Sequence, residues 1–138
     1  AVFGDPDIVT GITRFICEMG IEPVAVLSGT PSNKFVSNIQ AIAEDYQYTP
    51  KIFNGSDLFA LEEYLKGTDV SLIIGNSKGI DIAKELEVPL VRAGLMVWDR
   101  VGYQKRPIVG YRGGEFLLAD IVNSLLDFKY PDDRTQQL

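Results

Sequence analysis

Histidine is absent from this chain and cysteine occurs once, at Cys17. Without histidine there is no Ser-His-Asp or Cys-His catalytic set, no imidazole metal ligand, and no side chain whose ordinary pKa suits a general base near neutral pH. A single cysteine excludes an internal disulfide and any multi-cysteine zinc or iron-sulfur site built from this chain alone. Long apolar runs are missing too: none approaches the roughly 18 residues that span a bilayer. The start Ala1-Val2-Phe3-Gly4-Asp5 has neither the basic region nor the apolar stretch of a signal peptide. A soluble, cytoplasmic protein with no membrane partner is expected. Basic residues are the minority charge, 13 against 19 acids for a net of -6, so the chain as a whole repels phosphate backbones and nucleic acid is not an expected partner.

What is present suits a globular fold. The 138 residues are 46% hydrophobic and 23% charged, enough for one core and small for two, so residues 1–138 are read as a single domain. Short β-branched runs alternate with helical patterns, the order that builds a parallel sheet with helices on both faces. Four to five strands are expected, at Ala1 to Phe3, Pro23 to Leu27, Lys51 to Asn54, Ser71 to Ile74 and Pro89 to Arg92. The first helix should press Ile8, Ile12, Phe15, Ile16 and Met19 on the sheet. Ser32 or Asn33 can cap a second helix, Ser56 or Asp57 a third that Gly67 ends, and a short fourth should run from Ile80 to Leu86. The last, from Glu115 to about Phe128, is apolar around half its circumference, wider than a one-sided stripe, so it should touch more than one neighbour. The first strand is short enough that the chain is expected to begin inside an element, as part of something longer. The polar tail from Tyr130 to Leu138 reads as an extension along a partner or a loose end.

Three segments carry candidate chemistry. Gly4-Asp5-Pro6-Asp7 reads as a helix cap, since no G-x-G-x-x-G occurs and two acids would repel a pyrophosphate. Gly75-Asn76-Ser77-Lys78-Gly79 leaves the carboxyl end of the fourth strand, where ligands of α/β sheets collect. Its Asn76, Ser77, Lys78 and Gly79 are candidate anion or cofactor contacts, although turn chemistry explains the same residues equally well. The long connection from Gly94 to Gly114 sets Trp98, Tyr103 and Tyr111 among Arg100, Arg106 and Arg112, the composition of a protein interface. Folded back on its own domain instead, it would be anchored by Trp98. Cys17, beside Thr10 and Thr13 on a face of small residues, is expected to meet a neighbouring domain and not to act as a nucleophile.

As a set, Phe3-Gly4-Asp5-Pro6-Asp7-Ile8, Gly75 to Gly79, Val88-Pro89-Leu90-Val91-Arg92, Asp99-Arg100 and Gly110-Tyr111-Arg112-Gly113-Gly114 resemble the C-terminal domain of β-type subunits in the nitrogenase component 1 family. The resemblance covers nearly the whole chain and implies a Rossmann-like three-layer domain within a larger multi-domain subunit. It also implies an α-type subunit, a second β-type subunit and an iron-protein reductase as partners. In the parent complex it implies an iron-sulfur P-cluster and a molybdenum, vanadium or iron-only cofactor, none bound by this stretch alone. The cluster cysteines of such subunits lie in their N-terminal part, and Cys17 does not match them. α-Type chains hold their cofactor through a histidine before a Trp-Asp pair, whereas Met96 and Val97 precede Trp98-Asp99 here, which points to the β-type side. Molybdenum-type β chains carry a histidine-rich run after Asp-Arg; Val101 to Arg106 has none, so a vanadium or iron-only chain, or the β-like scaffold for cofactor assembly, is implied as well. The local role expected is structural contact between subunits, with no catalysis by the domain alone. The alternative from the residues themselves is an autonomous small-ligand module using the 75–79 loop.

Overall fold

Five β-branched and apolar runs form one parallel sheet in the order β3-β2-β1-β4-β5. The computed structural model describes residues 1–131, so most of the polar tail lies outside the described residues. The strands are β1 Val2–Gly4, β2 Ala25–Ser28, β3 Lys51–Asn54, β4 Ile73–Gly75 and β5 Leu90–Arg92. The helices between and after them are α1 Pro6–Glu18, α2 Asn33–Tyr46, α3 Leu58–Lys66, α4 Ile80–Glu85 and α5 Gly110–Lys129. Short 3-10 turns occur at Ser77–Gly79 and Tyr103–Lys105. The expected α/β class, a parallel sheet with helices on both faces, is what the chain adopts.

Alternate residues of each strand point to opposite faces, and both faces are covered. Val2, Val26, Ile74 and Val91 share a core with Ile16 of α1, Phe35, Ile39 and Ile42 of α2, and Ile121 of α5. Their strand neighbours Phe3, Leu27, Ile73 and Leu90 pack with Leu61 and Leu65 of α3 and Ile82 and Ala83 of α4. Each such fully buried aliphatic contributes about 1.5–3 kcal/mol, more than the cap contributions of about 1 kcal/mol that mark the helix starts. Those caps form as their residues suggest: Ser32 Oγ accepts from Phe35 N at 3.2 Å, and Asp57 Oδ1 from Ala60 N at 3.0 Å.

Two expectations for α1 need correction. Its fully buried residues are Val9, Thr13, Ile16 and Cys17, while Ile12, Phe15 and Met19 pack half-buried against the same core, so the core face is wider than the apolar spacing suggests. Ile8, Ile12 and Phe15 also border a cavity under α5. The reason is that α1 has two neighbours, the sheet and α2. Thr13 tolerates burial because its hydroxyl donates to Val9 O at 2.7 Å. Cys17 is 4% exposed within the core shared with Phe35 and Ile39. Its small-residue face does admit a close neighbour, but that neighbour is α2 of this chain, and Cys17 is not an interface residue.

The last helix also starts earlier than expected, at Gly110 instead of Glu115. Its first turns carry Gly113 and Gly114, poor helix formers, and Gly113 has a packing reason to be there. A Cβ at Gly113 would lie 2.7 Å from the carbonyl carbon of Ile108, where the incoming loop crosses the helix.

Candidate contact surface and the loop that shapes it

Strand order reverses direction at β1 and β4, which places the ends of these two strands at the switch point where open α/β sheets bind ligands. The turn after β4 is nevertheless occupied by the protein itself. Asn76 Oδ1 accepts from Lys78 N at 3.1 Å, closing its own turn. Ser77 is 1% exposed; its hydroxyl donates to Asp99 Oδ1 at 2.5 Å and accepts from Trp98 N at 3.1 Å. Gly75 and Gly79 lie against Phe3, whose ring a Cβ at either position would strike. Of the candidate contacts Asn76, Ser77, Lys78 and Gly79, only Lys78 is exposed; Ser77 and Gly79 serve packing and are not ligand contacts.

Asp99 is the centre of this knot. Arg92, at the end of β5, donates to Asp99 Oδ2 from Nε at 3.2 Å and from a terminal nitrogen at 2.8 Å, while another donates to Leu90 O at 3.0 Å. Arg100 adds a contact to the same carboxylate oxygen at 3.1 Å from a more exposed position. The Ser77 hydroxyl, then Arg92, stabilise the ionised carboxylate and lower the Asp99 pKa to about 2. Trp98 is therefore not the anchor of the long connection: its side chain is 61% exposed, and only its backbone is held.

A second clamp holds the far end of the connection on α5. Arg106 meets Asp120 at 2.6 Å, with its guanidinium 4.2 Å from the Tyr103 ring centre and 5.3 Å from that of Phe116. Tyr103 and Arg106, expected at an interface, are half-buried and work within the chain. Asp120 was not legible as a site residue; its only sequence signal is an acid on the apolar helix that follows a basic loop.

Between and beyond these clamps the surface is apolar. Among the described residues, every exposed large apolar side chain except Phe59 and Tyr64 lies between Leu95 and Tyr130. Leu95, Met96, Trp98 and Val101 project from the loop, Val109 and Tyr111 stand at the start of α5, and Leu118, Val122, Leu125 and Leu126 run along it. Ile121 and Gly113 alone are buried in α5, so the domain covers only part of the helix's wide apolar arc. Arg100 and Arg112 are exposed beside this area. Exposed apolar patches of this extent mark interaction surfaces.

Strand order and helix packing define a Rossmann-like α/β domain. The chain belongs to the nitrogenase component 1 type oxidoreductase family, whose pattern matches residues 1–126. It is 48% identical over 126 residues to the nitrogenase molybdenum-iron protein beta chain of Methanothermobacter marburgensis, covering 91% of this chain and 28% of the relative. Against the nitrogenase vanadium-iron protein beta chain of Trichormus variabilis the identity is 38% over 142 residues, covering 97% and 30%. The solved structure "Nitrogenase Cp1 at pH 6.5" superposes with a TM-score of 0.90 at 34% identity, covering 96% of this chain and 30% of that one. The chain thus spans under a third of the length of these relatives, and the resemblance to β-type chains holds. Relatives named molybdenum-iron and vanadium-iron are both among those it resembles.

Proposed function

We propose that this domain is the C-terminal part of a nitrogenase β-type subunit and that its task is to hold subunits together in a cytoplasmic oxidoreductase complex for nitrogen fixation. The observation that carries the reading is the collection of exposed apolar side chains on the 95–109 loop and α5, against an otherwise well-covered fold. An α-type subunit or a second β-type subunit would cover that surface, and an iron-protein reductase would deliver electrons to the complex elsewhere.

The residues present do not fit the metal groups of such a complex. Thiolate ligation of an iron-sulfur cluster needs several deprotonated cysteines. The one cysteine here is enclosed in the core and its pKa is raised by burial. No group of three or more His, Cys, Asp or Glu side chains among the described residues is placed to hold a metal ion. In this reading the P-cluster and the molybdenum, vanadium or iron-only cofactor belong to other parts of the assembly.

The test is made in the full-length parent, coexpressed with its α-type neighbour. Leu118→Glu with Val122→Glu places two charges on half-exposed positions, so folding survives while heteromer formation, read as mass in solution, is lost. Phe59→Glu, exposed on α3 across the sheet, should leave the assembly intact. An intact heteromer bearing both α5 charges would refute the contact role. Iron and labile sulfide in the wild-type heteromer support the wider assignment.

A further inference from the structure

The segment after β5 carries Leu95, Met96, Trp98 and Val101 outward, and none of residues 95–101 packs into either core. Its polar tethers converge on two residues of the body. Ser77 donates its backbone N–H to Met96 O at 3.1 Å, accepts from Trp98 N at 3.1 Å, and donates its hydroxyl to Asp99 Oδ1 at 2.5 Å. Arg92 supplies the rest through Asp99 Oδ2. Among the described residues no other hydrogen bond joins positions 95–101 to the body of the domain. Ser77 is itself fixed, buried in a turn whose glycines Gly75 and Gly79 lie against Phe3. One buried serine and one carboxylate therefore set where the backbone runs at 96, 98 and 99, and so where Met96 and Trp98 point.

We propose that Ser77 and Asp99 are positioning residues for subunit contact: they latch the 95–101 segment in its binding shape before a partner arrives. This rests on the contact role proposed above. A segment already held loses little further freedom on binding, whereas a released one must be ordered at the moment of contact. When the competent shape is populated only in part, apparent affinity falls by that fraction.

The test uses the full-length parent and its α-type neighbour, with Asp99→Ala or Ser77→Ala in the parent. Hydrogen exchange at the Ser77 and Trp98 amides is read by mass spectrometry before mixing, and association and dissociation rates after it. Both amides should be protected in the unmixed wild type. Asp99→Ala leaves both of their acceptors in place, so faster exchange there reports release of the whole segment. Both variants should associate about tenfold more slowly with dissociation little changed, the scale of leaving two or three side chains to be ordered on contact. Leu61→Val, in the core against α3, lowers stability away from the latch and should leave exchange and rates at wild type. Free exchange at both amides in the unmixed wild type, unchanged rates in both variants, or an equal slowing in Leu61→Val would overturn the positioning role. Where rates are unchanged in both variants but Leu118→Glu with Val122→Glu still blocks assembly, the contact role stands and only the latch falls.

Discussion

Ser77 and Asp99 stand 22 positions apart and share a hydrogen bond of 2.5 Å that ties the turn after β4 to the connection after β5. With Arg92 on its other oxygen, Asp99 ties the end of β5 and the turn after β4 to one carboxylate. The same bond commits the Ser77 hydroxyl proton inside the fold, and burial keeps the hydroxyl away from solvent.

The carboxylate of Asp99 should stay ionised in the folded chain down to about pH 2. Its folded pKa lies below the unfolded value near 3.8, so its contribution to stability is present above that value and disappears as the pH falls toward about 2. Ser77→Ala should raise the Asp99 pKa, because the hydroxyl that does most to stabilise the ionised carboxylate is gone, while Arg92 keeps it below the ordinary value. Carboxyl carbon NMR titration measures both; an unchanged Asp99 titration in Ser77→Ala would contradict the latch.

Adjacent glycines in α5 should respond differently to the same substitution. Gly113→Ala sets a methyl 2.7 Å from the backbone of Ile108, which cannot move aside, and should cost about 1–3 kcal/mol. Gly114→Ala meets only the edge of Phe15 at 3.3 Å, beside the cavity, so the ring can yield. There the helical preference for alanine, about 0.5–1 kcal/mol, should leave the change neutral or stabilising. Thermal unfolding of the two variants separates them.

Cys17 should not react with Ellman's reagent in the native chain and should react fully in denaturing urea, since its thiol is buried in the core and its pKa is raised by that burial. Rapid native labelling would mean that α1 and α2 separate readily.

The alternation of strands and helices, the two-faced burial of the strands and the caps at Ser32 and Asp57 were legible in the sequence, because each depends on spacing and on residues within one turn. The family resemblance was legible for a related reason: its short motifs survive as local patterns. Positions whose partners lie far along the chain were not. The spacing of Ile12, Phe15 and Ile16 announced a core face that does pack on the core, but α2 arriving beside the sheet widened it to bury Thr13 and Cys17 as well.

The candidate site divides in the same way. Sequence by itself determined a parallel α/β domain with an apolar final helix and an aromatic, basic connection before it, since composition and period are properties of the chain. Only the tertiary structure decided which of those residues face outward. Arg106 turned inward because Asp120 comes within 2.6 Å once α5 packs, and Ser77 because Asp99 folds over it. Trp98 and the Leu118, Val122 and Leu125 stripe stayed outside, while Ile121 of the same helix reached the core. Burial is a contest for limited apolar surface, and its outcome depends on every element at once.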